Sequence, residues 1–166
     1  MRLLSGIMLL ALTVVPAFAE IDVSFIEGAP KDRFQIANNA QCDIENAELT
    51  IDLEGSAGGL IFDVTDTGAG VEVFQPFEVV AGVAFLANAP VVRDGDRRIA
   101  LSIGQLPAGQ TIAFTIDVDD TINAREITVT DSELSGGSVR LRVAGRTFEQ
   151  TFGETPRLTI TGSICN

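Results

Sequence analysis

The sequence predicts an all-β protein, an antiparallel β-sandwich of the immunoglobulin-like or jelly-roll kind. From residue 21 onward, short runs of alternating apolar and polar residues are separated by Gly, Asn, Asp and Pro, which is typical of antiparallel strands joined by turns. No segment carries an apolar stripe with the 3.6-residue period of a helix. Strands at such short and regular spacing pack as two facing sheets. We therefore expect one β-sandwich domain over residues 20–166.

The alternation within the predicted strands assigns their faces. Leu49 and Ile51 are expected to face the core, whereas Glu48 and Thr50 face solvent. The ten Phe residues are the only aromatic residues of the chain, and we interpret them as core filling. Eleven strands are predicted in all, at residues 22–27, 32–38, 47–54, 60–65, 71–80, 97–103, 111–117, 125–130, 138–143, 146–152 and 157–161.

One turn carries a specific signal. An Asp94-Gly95 pair stands between the apolar Val91-Val92 and the predicted strand 97–103. Asp-Gly is a preferred pair for a two-residue turn between antiparallel strands. We therefore expect a β-hairpin at this position.

The first nineteen residues have the features of a secretory signal peptide. Arg2 precedes an apolar run at residues 3–15, and Ala17-Phe18-Ala19 forms a small-x-small cleavage site. The run is shorter than the roughly 20 residues of a membrane span. Cleavage is expected near Ala19, which leaves a secreted protein, extracellular or periplasmic, with no membrane span in the mature chain.

The chain has two cysteines, Cys42 and Cys165. An even count in an exported chain favours one disulfide between them, and the alternative is two free or intermolecular thiols. Neither residue belongs to a CxxC motif, so a redox role is not expected.

Composition excludes several classes of function. The chain has 23 acidic and 11 basic residues, a net charge of −12, and this argues against binding to nucleic acid. It has no histidine, which excludes Ser-His-Asp and Cys-His catalysis. Two cysteines without histidine cannot complete the usual tetrahedral zinc site. Carboxylate chemistry remains.

Acidic residues gather at the ends of two predicted strands. Asp117, Asp119 and Asp120 end one strand, and Asp63 and Asp66 end another. If the two ends meet, these carboxylates supply the oxygen ligands that a hard cation such as calcium prefers. The alternative is that they are solvated strand ends, or charges that prevent edge-to-edge pairing. Convergence itself does not follow from the sequence.

A catalytic use of the same acids is also conceivable. Asp117 with Asp119, or Glu27 with Asp63, would serve as the acid and nucleophile of glycoside hydrolysis if their carboxyl groups lay roughly 5 to 9 Å apart beside a sugar cleft. Such clefts usually offer Trp or Tyr faces, and the chain has neither. We therefore expect no enzymatic activity, no catalytic residues and no organic cofactor.

The leader, together with residues 59–64, 71–78 and 116–120, resembles a group of small exported bacterial proteins labelled aggregation factor core proteins. The resemblance covers roughly residues 23–164. The label comes from a sponge extracellular proteoglycan that supports calcium-dependent cell adhesion. The resemblance thus implies an extracellular β-sandwich with a role in adhesion.

Three functional hypotheses follow. The first is a secreted, non-enzymatic adhesion or interaction module, assisted by calcium, whose partner is an extracellular or envelope protein, a glycan, or a second copy of the chain. The second is a carbohydrate-binding or other accessory module of the cell envelope. The third is a carboxylate-dependent glycoside hydrolase.

Overall fold

The structure is a computed structural model that describes residues 19–70, 74–122 and 128–165. Within these residues, ten strands form two antiparallel sheets, which confirms the predicted all-β sandwich. The predicted signal peptide, apart from Ala19, lies outside the described residues. The strands are β1 (Ala19–Ile26), β2 (Asp32–Asn38), β3 (Ile44–Asp52), β4 (Ile61–Asp63), β5 (Glu78–Ala81), β6 (Arg98–Leu106), β7 (Thr111–Asp119), β8 (Ser138–Val143), β9 (Arg146–Thr151) and β10 (Arg157–Gly162), and a 3-10 turn covers Val83–Phe85.

The two sheets differ in size. The larger has the order β10-β1-β2-β7-β4, and β5 pairs with the same edge of β7 as β4 does. The smaller has the order β6-β3-β8-β9. The chain passes from one sheet to the other six times: between β2 and β3, β3 and β4, β5 and β6, β6 and β7, β7 and β8, and β9 and β10. Strand β7 lies inside the larger sheet, with β2 on one side and two short strands on the other.

Aromatic side chains fill the space between the sheets, as predicted. Phe34 is fully buried, and its ring centroid lies 5.1 Å from that of Phe25, 5.3 Å from that of Phe114 and 6.4 Å from that of Phe62. Burying one such side chain stabilises a fold by about 1.5–3 kcal/mol. This cluster joins strands β1, β2, β4 and β7 at one end of the core.

Two predicted strands are shorter in the structure. The strand predicted at 60–65 covers only Ile61–Asp63, and that at 71–80 covers Glu78–Ala81, although residues 71–73 lie outside the described residues. The first ends early because the N–H groups of Val64 and Thr65 donate to the Asp94 side chain instead of to a strand.

The strand predicted at 125–130 is not confirmed. Residues 125–127 lie outside the described residues, and residues 128–130 are not in a strand. The N–H of Thr130 instead donates to the Glu133 side chain at 2.8 Å. A local side-chain acceptor thus replaces a strand partner here.

The Asp94-Gly95 pair forms a turn, but the predicted hairpin is wrong. The N–H of Gly95 donates to the carbonyl of Phe62, and the N–H of Phe62 donates to the carbonyl of Asp96. The residues around Val91 form no strand. The backbone of the turn is therefore hydrogen-bonded to β4, so the turn packs beside that strand.

The predicted disulfide is present. Cys42 and Cys165 are bonded with their Cα atoms 5.9 Å apart and close a loop of 123 positions. Beside it, the buried Asn38 side chain donates to the carbonyls of Cys42 and Leu106, each at 2.9 Å. Cystine and asparagine together tie the β2–β3 connection to β6 and to the segment after β10. Within the described residues, no helix has the length and apolar character of a membrane span.

Replacing both Cys42 and Cys165 by Ser is expected to lower the free energy of unfolding by about 2–5 kcal/mol, because the unfolded chain then regains the entropy of a long open loop. Urea titration of the two proteins with and without reductant measures this. Reductant should destabilise only the parent chain, and an equal loss in the double variant would show that the effect is not due to the disulfide.

Candidate functional site

The pairing of β4 with β7 brings the two acidic strand ends together. Asp63 lies directly opposite Asp117, and Ile61 lies opposite Asp119. Residues directly opposite each other in an antiparallel pair point to the same face of the sheet. Asp63, Asp117 and Asp119 therefore project from the outer face, away from the aromatic core. We call these three residues the acidic end.

The carboxylates of the acidic end are buried although they face outward. Asp63 is 0% exposed, Asp119 2% and Asp117 7%. The backbone of Gly70 passes directly over them: a Cβ atom at Gly70 would lie 2.1 Å from Oδ2 of Asp63 and 2.4 Å from Oδ2 of Asp119. Glycine is needed for this approach, since any side chain would collide with both carboxylates.

Asp94 holds the loop 64–70 over the acidic end. Its Oδ1 accepts hydrogen bonds from the N–H groups of Val64 at 3.0 Å and Thr65 at 3.2 Å, and its Oδ2 accepts one from Ala69 at 2.8 Å. Burial acts to raise the pKa of Asp94, but these N–H groups and Asp63 outweigh it and lower the pKa. Asp94 is thus an ionised anchor for the loop.

Asp63 has no comparable set of donors. Neither of its carboxylate oxygens accepts a hydrogen bond in the described part of the chain, and the neighbouring N–H of Thr65 is bonded to Asp94. The Oδ2 atom of Asp117 is likewise buried without a donor. A buried carboxylate without donors or a counter-charge is unstable in its ionised form.

The pKa values reflect this environment. Burial, the Asp94 carboxylate, to which Asp63 can donate only in its protonated form, and the charge of Asp119 raise the pKa of Asp63 to about 7. Burial and the charges of Asp119 and Asp32 raise that of Asp117 to about 7. No ion pair joins Asp63 or Asp117 to a basic side chain among the described residues. Other carboxylates are therefore the main charged neighbours of these two acids.

Asp32 is a further buried acid beside this group. Its Oδ2 accepts the N–H of Val118 at 2.9 Å, and its Oδ1 accepts the N–H of Gly28 at 3.2 Å. Burial raises its pKa to about 7, even though both hydrogen bonds lower it. The last backbone pair between β2 and β7 is Asp32 with Ile116. Beyond it, the Asp32 side chain accepts the N–H of Val118, which no residue of β2 reaches.

The structure brings together most of the acids predicted to meet. Asp63, Asp117 and Asp119 converge, and Asp120 is buried immediately after them. Asp66 does not join them; it is exposed in the loop 64–70 because β4 has ended at Asp63. In the part of the chain that the structure describes, no three acidic, cysteine or histidine side chains form a complete metal-binding set. Whether a metal binds stays a prediction.

Sequence reasoning missed Asp32 and Asp94. The sequence predicts Asp32 as the first residue of a strand and Asp94 as a residue of a hairpin turn. The available signal was weak: an Asp at the start of a strand or in a turn can accept backbone N–H groups. Which N–H groups are free depends on the distant segments that pack there.

The carboxylate pairs considered for glycoside hydrolysis are poorly placed for it. Asp117 and Asp119 are buried, and Glu27 is exposed whereas Asp63 is wholly buried. A general acid or nucleophile must reach the glycosidic bond. Neither pair presents two carboxyl groups to a common cleft.

The outer face of β10, β1, β2 and β7 forms a second candidate site, which we call the open face. Strand pairing places Ser24 opposite both Arg157 and Gln35, and Arg33 opposite Thr115. A groove of about 220 Å³ crosses this face, lined by Asp22, Ser24, Gln35, Ala37 and Arg157.

Polar groups of the open face are left without partners. The side chains of Ser24, Gln35 and Arg157 make no hydrogen bond within the described residues, and Nε of Arg33 and Oγ1 of Thr115 are buried without a partner. Asp22, in contrast, is held by Thr159 Oγ1 at 2.6 Å and Asn39 Nδ2 at 2.8 Å. The face therefore offers the side chains of Ser24, Gln35 and Arg157 beside one oriented acceptor, whereas Nε of Arg33 and Oγ1 of Thr115 are closed to solvent.

The outer face of the smaller sheet is different. Its charged side chains bond one another: Arg98 with Asp52 and Glu54, Arg140 with Glu149, and Arg142 with Glu48. We call this the ion-paired face. A groove of about 400 Å³ lies at its β8–β9 turn, but Arg142 and Glu48, which line it, are already paired with each other. Compared with the ion-paired face, the open face thus has more hydrogen-bonding groups without a partner among the described residues.

Comparison with known proteins gives only weak similarities. No protein-family model matches the chain, and no curated protein matches it. A family GH18 chitinase from Chromobacterium violaceum is similar over 76% of this chain and 18% of its own chain, at 15% identity and a TM-score of 0.37. This chain thus spans less than a fifth of the chitinase chain.

Two carbohydrate-related modules from Clostridium thermocellum are similar at about full length. The module CBM3b of cellobiohydrolase 9A is matched over 84% of this chain and 97% of its own, at 16% identity and a TM-score of 0.33. A biomass-sensing module described as resembling family 3 carbohydrate-binding modules is matched over 84% and 98%, at 11% identity and a TM-score of 0.33. At these values no site or activity carries over to this chain.

The raised pKa values predict how stability depends on pH. The pKa values of Asp32, Asp63 and Asp117 are raised to about 7 in the folded chain, whereas an unfolded Asp has a pKa of about 3.9. The folded state therefore retains protons that the unfolded state loses, and the contribution of these groups to stability falls as the pH rises from about 4 through about 7.

Urea unfolding in chelator at about pH 5 and about pH 8 measures this effect. The parent chain should be less stable at the higher pH, and Asp63→Asn should show a smaller difference. Stability that increased with pH over this range would contradict the assignment.

Proposed function

We propose that the chain is an exported, non-enzymatic module that binds a glycan on its open face. The observation that carries this proposal is the contrast between its two outer faces. The charged side chains of the ion-paired face pair with one another, whereas the side chains of Ser24, Gln35, Arg33 and Arg157 on the open face make no hydrogen bond among the described residues. Glycans present rows of hydroxyl groups, which both donate and accept hydrogen bonds and can therefore pair with the unbonded side chains of the open face.

The strand register suits an extended ligand. Arg157, Ser24 and Gln35 follow one another across three neighbouring strands, and Arg33 and Thr115 continue on the next row. Adjacent strands are about 4.8 Å apart, so the polar groups recur at a regular spacing. Guanidinium groups also bond carboxylates in a bidentate manner, which extends the proposal to sugars that carry uronic acids.

Several features support an exported binding module rather than an enzyme. The leader predicts export, and the Cys42–Cys165 disulfide suits an oxidising compartment. Of the acids weighed for hydrolysis, Asp63, Asp117 and Asp119 are buried and Glu27 is exposed, so neither pair faces a common cleft. Binding of a surface or matrix glycan is itself a form of adhesion, which connects this function with the resemblance to aggregation factor core proteins.

Retention on polysaccharides tests the proposal. The mature chain should be retained on at least one member of a panel of neutral and uronic acid-containing polysaccharides. Gln35→Ala combined with Arg157→Ala should weaken retention at least about tenfold, because each lost hydrogen bond to a bound ligand contributes about 1 kcal/mol or more.

A matched control lies on the other sheet. Arg140→Ala removes one guanidinium from the ion-paired face and should leave retention unchanged. Failure to bind any polysaccharide of the panel, or equal weakening by Arg140→Ala, would overturn the proposal.

A further inference from the structure

We propose that the acidic end binds a calcium ion between the carboxylates of Asp63 and Asp117, with Asp119 beside them. This site is separate from the glycan groove and does not depend on the proposed function. Calcium is a hard divalent cation, and a set of oxygen ligands is sufficient to bind it.

The first support is geometric. The position of a Cβ atom at Gly70 lies 2.1 Å from Oδ2 of Asp63 and 2.4 Å from Oδ2 of Asp119, so these two oxygens are at most about 4.5 Å apart. Two oxygens bound to one calcium ion at 2.3–2.6 Å can be this far from each other. The ion itself would not lie at the Cβ position, which is next to the Gly70 main chain. Asp117, opposite Asp63 in the strand pair, brings a third carboxylate to the same face.

The second support is the state of Asp63. It is 0% exposed, and neither of its oxygens accepts a hydrogen bond among the described residues. A carboxylate in that position must be neutralised by a proton or by a cation. The neighbouring Asp94, which accepts three N–H groups from the loop 64–70, is itself an anion, so its charge adds to that of an ionised Asp63.

The third support is the loop itself. Hydrogen bonds to Asp94 fix the loop 64–70 over the acidic end. The main chain of Gly70 therefore lies beside the Asp63 carboxylate. Calcium takes six to eight oxygens, so main-chain carbonyls and water would complete the ligands that the carboxylates begin. Asp94 is thus a positioning residue for this site and not a proposed ligand.

The test compares the parent chain with Asp63→Asn and Asp66→Asn. Asp66 is exposed in the same loop, so its replacement removes the same charge outside the site. After treatment with chelator at neutral pH, millimolar calcium should raise the melting temperature of the parent chain and of Asp66→Asn by several degrees. Calorimetric titration should give about one bound ion for each chain.

Asp63→Asn should show two opposite changes. Without calcium it should melt at a higher temperature than the parent chain, because a buried charge repelled by its neighbours is gone. With calcium its melting temperature should not change, and its calcium affinity should fall at least about tenfold. A residue with a merely structural role would not produce both changes. If Asp63→Asn does not fold, Asp117→Asn takes its place.

The proposal is overturned if calcium leaves the melting temperature of the parent chain unchanged. It is also overturned if Asp63→Asn responds to calcium as the parent chain does, or if sodium chloride at matched ionic strength gives the same shift. None of these outcomes bears on retention by polysaccharides, so the two proposals fail independently.

Discussion

The burial of Phe62 between the two sheets determines where the acidic end lies. Phe62 is the central residue of the three-residue strand β4, and its ring packs near that of Phe34. Because side chains alternate along a strand, a buried Phe62 directs Ile61 and Asp63 to the opposite face. Backbone pairing with β7 then places Asp63 opposite Asp117. Burial of Phe62 stabilises the core, but the same strand pairing holds the carboxylates of Asp63 and Asp117 close together, and their repulsion is unfavourable.

The sandwich uses its two outer surfaces in different ways. On the smaller sheet, arginines and acids alternate across neighbouring strands and neutralise one another, and such exposed pairs contribute little to stability. On the larger sheet, small polar residues surround Arg33 and Arg157, which form no ion pair within the part of the chain that the structure describes. The ion-paired face therefore has few polar groups left to bind a ligand, whereas the open face has donors and an acceptor that a ligand can use.

The sequence predicts the regular part of this structure well. The period-two alternation predicts the strands and the inward positions of residues such as Leu49. Two cysteines behind a predicted signal peptide predict the bond between Cys42 and Cys165. Local patterns do not give the contacts made by short or irregular segments. Asp63 and Asp66 look equivalent in the sequence, yet only Asp63 belongs to the strand that the core holds in place. The role of Asp94 depends on N–H groups some thirty residues away, which no local pattern reveals.

The pairing of β1 with β10 places the two ends of the described chain at the same end of the sandwich. Ala19 lies opposite Gly162, and Ile21 lies opposite Asn38, so both ends of the described chain meet near the disulfide. Asp32, at the other end of β2, lies beside the acidic residues. A linker at either terminus would therefore hold the domain by one pole and leave the carboxylates at the distal pole. Immobilisation on a bead or sensor through either end orients every copy in the same way.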